Sequence, residues 1–402
     1  MPSNVKLRAA LASAAAGAVM LSAMFFAAPS MASSIGGWSP SVIRVAGEDR
    51  YATSVDAAKA AFPDTADVVY VATGTNFPDA LGAAAAAAAA NGPLLLTSRT
   101  ALSESVREEI QSLAPSEIKV VGGTAAVSSD VFAALSDLAP TVVRISGSDR
   151  YSTGRAIVQD AFSAGASTVY IATGANFPDA LSASAAAGSA GDPVVLVNGS
   201  ASALDPATID LLQSLGATSF VIAGGPSAVS AGIADGLSTM GTVTRYYGAD
   251  RYSTSDAINQ AIFPSATHVY FATGAGFADA LSGAVLASAE HSPLYIVEGN
   301  CVPDATETDL ASAAVTNVTL IGGPSALNSQ VAALDNCTSV APPPPPPPAP
   351  PAPPSQITGI VPGAFCPDAD YGLSGIGTNG KTYICGLKGP DANGHYHWNS
   401  IS

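Results

Sequence analysis

Positive charge is scarce in this chain: its 402 residues hold 15 Lys and Arg against 31 Asp and Glu, a formal net charge of −16. That balance excludes nucleic acid as a partner, because phosphates demand a basic face. Histidine is scarcer still, with four in all and none recurring at a regular interval, so no repeated His builds a nucleophilic triad or a metal cluster. The Gly-Gly turns are not Gly-x-Gly-x-x-Gly and no Walker loop follows a strand, so nucleotide chemistry has no support; neither a cofactor nor a metal is expected. Beyond the N-terminus no apolar run spans a bilayer, and Ala83 to Ala90 fall far short of the ~20 residues needed.

The N-terminus itself reads as a secretory signal. Lys6 and Arg8 precede an apolar run from Ala9 to Ala28, and Ser30-Met31-Ala32 offers a small-residue cleavage site, so residues 1–32 are assigned to a signal peptide. Export leaves no membrane span after cleavage and favours disulfides among the four cysteines. Three connectivities are open; sequence order favours Cys301 with Cys337 and Cys366 with Cys385.

The centre of the chain is one pattern written three times. Gly47-Glu48-Asp49-Arg50-Tyr51 returns as Gly147-Ser148-Asp149-Arg150-Tyr151 and as Gly248-Ala249-Asp250-Arg251-Tyr252, with the Asp positions 100 and 101 residues apart (149−49, 250−149). Each copy continues with Val69 to Gly74 and Asn76-Phe77-Pro78-Asp79-Ala80-Leu81, or their counterparts at Asn176 to Leu181 and Gly276 to Leu281, and closes on Gly122-Gly123, Gly224-Gly225 or Gly322-Gly323. Repeats are assigned to 42–141, 142–242 and 243–340. These ordered motifs resemble the type 2 cell-wall-binding repeat, which occurs in threes and holds S-layer proteins and secreted hydrolases on Gram-positive walls. The resemblance implies a cell-surface location, three modules packed as a pseudo-trimer, and often a neighbouring hydrolase such as an amidase.

Within each copy, strand-like Val, Ile and Leu runs alternate with helix-like segments. The strands show little polar alternation, so they are buried on both faces: an α/β fold with mainly parallel sheets covered by helices. The second helix, spanning Phe77 to Ala90 in the first copy, is dense in small residues. Either it approaches its neighbours closely or Ala serves only its helix propensity. Residues 341–355 form a proline-rich linker, an extended rod of about 3.1 Å per residue. Residues 356–402 are a small cysteine-stapled β module with a two-residue turn at Asn379-Gly380.

Glycine turns and helix starts at the carboxyl ends of parallel strands converge on one edge and suit an anion. Of the 15 cations, Lys6 and Arg8 fall in the signal, and six of the remaining 13 form two repeated columns: Arg44, Arg144, Arg245 and Arg50, Arg150, Arg251. The second column contacts phosphate or carboxylate on an anionic wall polysaccharide or teichoic-acid-like polymer, or pairs with Asp79, Asp179 and Asp279. Arg44, Arg144 and Arg245, inside strand patterns, are read as structural. Asp49, Asp149, Asp250, Asp79, Asp179 and Asp279 complete the polymer-binding set with Tyr51, Tyr151 and Tyr252, which stack on a sugar or fill an interface. Asp79, Asp179 and Asp279 are assigned to helix capping, Asn76 and Asn176 to N-caps. Gly276 and Ala278 break the motif in the third copy, whose site is expected to be weaker. No catalytic residue is assigned, since Arg50 beside Asp49 keeps that acid ionised and unfit as a glycosidase acid. The function expected is noncovalent anchoring. The alternative is a peptidoglycan hydrolase, an N-acetylmuramoyl-L-alanine amidase, or its modifier, with the tail displayed to another exported protein.

Overall fold

The computed structural model describes residues 38–76, 79–338 and 357–401. The signal segment and the proline tract lie outside the described residues. In the first repeat β1 (Ser41–Val45), α1 (Arg50–Ala61), β2 (Val68–Thr73), α2 (Ala83–Ala89), β3 (Leu94–Thr97), α3 (Glu104–Leu113), β4 (Glu117–Val121) and α4 (Ser129–Ser136) follow in order. The second repeats this with β5 (Thr141–Ile145), α5 (Arg150–Ala161), β6 (Thr168–Thr173), α6 (Pro178–Ala190), β7 (Val194–Val197), α7 (Pro206–Ser214), β8 (Ser219–Ala223) and α8 (Ala231–Ser238). The third has β9 (Thr242–Tyr246), α9 (Arg251–Ile262), β10 (His268–Thr273), α10 (Ala278–Ala289), β11 (Leu294–Val297), α11 (Asp304–Ser312), β12 (Asn317–Ile321) and α12 (Ser329–Ala332).

Three four-stranded sheets result, ordered β3-β2-β4-β5, β7-β6-β8-β9 and β11-β10-β12-β1, with every pairing parallel. Their central strands are buried on both faces, Val69 to Ala72 being fully covered, which is why the sequence shows no polar alternation there. The first strand of each repeat completes the sheet of another. Ile145 pairs with Val121, Tyr246 with Ala223, and Val45 with Ile321, so β1 closes the ring by joining the third repeat. The sequence unit and the sheet unit are thus offset by one strand.

The small-residue helices α2, α6 and α10 pack on one another at the centre, giving the pseudo-trimer. Ser184 Oγ donates to Leu81 O and Ser288 Oγ to Ala185 O, each at 3.1 Å, linking neighbouring repeats helix to helix. A Cβ on Gly188 would lie 2.9 Å from the Cβ of Ala88. Alanine and glycine are therefore fixed here by backbone approach as well as by helix propensity; overpacking such a seam costs typically 1–3 kcal/mol. The end of the third repeat is stapled by Cys301–Cys337, beside a bridge between Val302 and Asn336.

The C-terminal unit is a separate four-stranded mixed sheet. Strands β13 (Ile357–Ile360), β14 (Ser374–Gly377), β15 (Thr382–Cys385) and β16 (Trp398–Ser400) lie in that order, the first pair parallel and the others antiparallel. Ile360, Tyr383 and Trp398 pack on the Cys366–Cys385 disulfide as its small core. The turn at Asn379-Gly380 is longer than the two residues expected: Gly377 N donates to Lys381 O at 2.9 Å, leaving three residues in the loop. Gly380, at φ +75°, takes the left-handed position that such loops require.

Candidate functional site

The glycine turns do meet at the carboxyl ends of the strands, but between repeats. Because β5 belongs to the sheet of the first repeat, the turn that leaves it, Gly147 to Arg150, arrives beside Asp79 and Gly123. Equivalent clefts bring Gly248 to Arg251 beside Asp179 and Gly225, and Gly47 to Arg50 beside Asp279 and Gly323. All three arginines, all three members of each Asp column and the glycine pairs therefore share three equivalent sites.

Each second-column arginine is tied to a backbone carbonyl, and two of them also face an aromatic ring. Arg50 Nη1 donates to Gly74 O at 2.6 Å, Arg150 Nη1 to Gly174 O at 2.6 Å and Arg251 Nη1 to Gly274 O at 2.5 Å, all within the same repeat. The guanidinium of Arg50 then lies 6.0 Å from the ring centre of Phe277, and that of Arg251 lies 5.9 Å from Phe177, both across a repeat boundary. Among the described residues no acid forms an ion pair with Arg50 or Arg251. Their field is felt by the acids opposite: burial raises Asp279 and Asp179, the latter to about 6, while Arg50 and Arg251 respectively pull them back. Asp79 is raised by burial too, against a hydrogen bond from Thr153 and the charge of Arg150.

Roles within the two Asp columns differ from the sequence expectation. The helix cap is the first column: Asp49 Oδ1 accepts from Tyr51 N and Ala52 N at 2.9 and 2.8 Å, and Asp149 and Asp250 form capping boxes with Ser152 and Ser253. The backbone bond from Ser152 holds Asp149 below the usual carboxylate range. For Asp250 burial pulls upward and the bonds from Ser253 and Tyr252 outweigh it. The first helix of each repeat accordingly begins at the arginine itself, and in the second and third copies the Asp-x-x-Ser spacing was the signal for it.

Asp179 and Asp279 do lie in the first turns of α6 and α10, but their carboxylates face the glycine pair. A Cβ on Gly122 would sit 2.8 Å from Asp79 Oδ2, and one on Gly224 2.5 Å from Asp179 Oδ2. These glycines adopt φ of +99° and +108°, so the doublet makes both the turn and the space for the acid. Asn176 is not an N-cap: the cap position of α6 is Phe177, with no side-chain bond, and α2 begins only at Ala83 after Gly82. The starts of α6 and α10 therefore leave backbone N–H groups without side-chain caps at the clefts.

First-column arginines are structural anchors. Arg144 Nη1 donates to Gly122 O and Arg245 Nη1 to Gly224 O, each at 2.7 Å, and Arg44 binds Gly322 O and Leu327 O. Each thereby ties one repeat's first strand to the glycine turn of the neighbouring repeat whose sheet that strand completes. Tyr51, Tyr151 and Tyr252 are half-buried against Gly74, Gly174 and Gly274, where a Cβ would meet their rings at 2.7–2.8 Å. Sequence reasoning missed the threonines whose Oγ1 accepts from Gly47, Gly147 and Gly248 N at 3.0–3.2 Å: Thr53, Thr153 and Thr254. A constant spacing of six residues was available to find them.

Three interlocked α/β repeats presenting one polar cleft at each boundary define a multisite binding scaffold. The chain matches the family described as Cell wall binding domain 2 over residues 44–132, 144–234 and 245–332, and it belongs to that family. It is 30% identical over 292 residues to the N-acetylmuramoyl-L-alanine amidase LytC of Bacillus subtilis, covering 73% of this chain and 57% of that protein. It is 28% identical over 288 residues to the Amidase enhancer of the same organism, covering 72% and 39%. Among solved structures, Cwp6 from Clostridium difficile is similar with a TM-score of 0.68 and 25% identity, over 74% of this chain and 49% of that one. Cwp8 from the same organism gives 0.65 and 26%, over 73% and 51%. The chain spans about half the length of these relatives, and among its described residues no helix is long and apolar enough to cross a membrane.

Proposed function

We propose that the protein is exported and held noncovalently at the cell wall, where its three inter-repeat clefts bind an anionic secondary wall polymer. The observation that carries this reading is the threefold cleft itself, with one guanidinium fixed beside a helix start in a chain of net charge −16. Nη1 of each arginine is engaged with a carbonyl, which orients the rest of the fork for a phosphate or carboxylate. Uncapped N–H groups at the starts of α6 and α10 add donors of the same sign.

The acids in the clefts offset this charge only in part. Asp49, Asp149 and Asp250 are turned to helix N-termini, and burial favours the protonated forms of Asp79, Asp179 and Asp279. Individual sites are weak, and three of them on one rigid body hold a repeating polymer by effective concentration. The role is binding without catalysis: every repeated cleft aspartate already caps a helix or packs on a glycine turn. Cosedimentation with purified walls, before and after acid extraction of the anionic polymer, tests the reading; binding that survives extraction would sink it. Clearing of peptidoglycan by the isolated protein would instead establish the hydrolase alternative.

A further inference from the structure

The three clefts share their arginine, their acids and their glycines, yet they differ in room. The cleft between the third and first repeats has a volume of about 950 Å³, and that between the second and third about 190 Å³. Organic ligands occupy sites of roughly 300–1,000 Å³, so the first admits a sugar unit and the second does not. Three local substitutions accompany the contrast. On one wall, Asn176 and Pro178 are replaced by Gly276 and Ala278, which removes a side chain and a ring. At the rim, the residue before the Gly-x-Asp-Arg-Tyr motif is Ala46 in the first repeat, Ser146 in the second and Tyr247 in the third.

Tyr247 is 54% exposed and its ring lies over the second glycine of the pair, where a Cβ on Gly225 would meet Cδ2 at 3.3 Å. The corresponding Gly123 and Gly323 have nothing within 4 Å. A tyrosine ring therefore sits against the glycine turn of one cleft, at a point where the other two have no such neighbour.

We propose that the clefts are unequal: the one between the third and first repeats, through Arg50, seats a whole anionic sugar unit, and Tyr247 closes the one between the second and third repeats to it. This rests on the wall-polymer reading above. It also reverses the weaker third site expected from the sequence, because the loss of Asn and Pro enlarges the cleft instead of dismantling it.

The test is a set of binding isotherms of the full chain on purified walls, with acid-extracted walls as the blank. Arg50→Ala should weaken binding by about tenfold, the loss of one charge-assisted contact, and Arg251→Ala by a smaller factor, about threefold, because the narrowed cleft reaches only the charged group of the sugar. Ala46→Tyr transplants the ring while leaving Arg50 in place; it should weaken binding about as much as Arg50→Ala, with an unchanged melting temperature showing that the fold is intact. Tyr247→Ala should raise the Arg251→Ala loss to that of Arg50→Ala. Equal losses from Arg50→Ala and Arg251→Ala, or wild-type binding by Ala46→Tyr, overturn the inequality and leave the wall reading standing. Binding indifferent to extraction and to every arginine variant overturns both.

Discussion

Gly122 and Gly123 are adjacent, chemically identical and placed in one turn, yet the structure assigns them opposite sensitivities. At Gly122 the backbone holds φ at +99°, outside the range an L side chain adopts easily, and a Cβ would lie 2.8 Å from both Ala126 Cβ and Asp79 Oδ2. Backbone strain of this kind costs about 1–3 kcal/mol, and relieving the two contacts by shifting Asp79 out of its buried seat adds about 1 kcal/mol or more. Gly122→Ala should therefore destabilise by about 3 kcal/mol, a fall of several degrees in melting temperature for a chain of this size. At Gly123 φ is not positive and an added Cβ meets nothing within 4 Å, so Gly123→Ala should change stability by no more than about 0.5 kcal/mol. The assay is calorimetric or chemical unfolding of the full chain with both variants in parallel. Asp79→Ala in the Gly122→Ala background should recover the carboxylate share of the loss and leave the backbone share. Equal effects at the two glycines, or no recovery, would refute the claim that the first glycine exists to make room for the acid.

Other consequences follow from buried acids and from the tail. Asp256 is 5% exposed, its two oxygens share the hydroxyl of Thr306 at 2.8 and 3.0 Å, and burial drives it to about 7. A raised carboxylate contributes stability that is present below its unfolded value and lost as pH rises through the folded one. Asp256→Asn should thus stabilise the protein at pH 8, by roughly 1–2 kcal/mol after discounting for relaxation, and not at pH 4; thermal unfolding at the two pH values decides. The same sign applies to Asp179, pushed to about 6: in the Tyr247→Ala variant, where its cleft is opened, wall binding should tighten as pH falls through that value, because the acid facing Arg251 loses its charge. A flat binding profile from pH 5 to 8 would contradict it. Removing Cys366–Cys385, which closes a separation of 19 residues, should cost the C-terminal unit about 3 kcal/mol, read as loss of amide protection around Tyr383 while the repeats keep theirs.

The sequence made the repeat, its α/β alternation, both cysteine pairings and the scarcity of cations legible, since each is written in local pattern. What it hid is where one repeat ends in space. Arg144 and Ile145 look like the start of the second repeat, and they pair with the sheet of the first; parallel pairing is non-local, and nothing in a strand's own residues names its partner. That single displacement brings the glycine turns together at the boundary between two repeats, a choice the sequence left open. The caps were misassigned for a different reason. Two Asp columns both precede helices, and only the Ser three residues after Asp149 and Asp250 separates a capping acid from one that packs on glycine. Tyr247 was invisible because its effect depends on Gly225, more than twenty positions away in sequence but under its ring in space.

The central claim is that polymer is gripped at the repeat boundaries by Arg50, Arg150 and Arg251. A variant carrying all three changes to Ala, confirmed as folded by its melting transition, should lose cosedimentation with purified walls by about a hundredfold or more while the Cys366–Cys385 unit is untouched. Retention on those walls at the wild-type level would contradict the account.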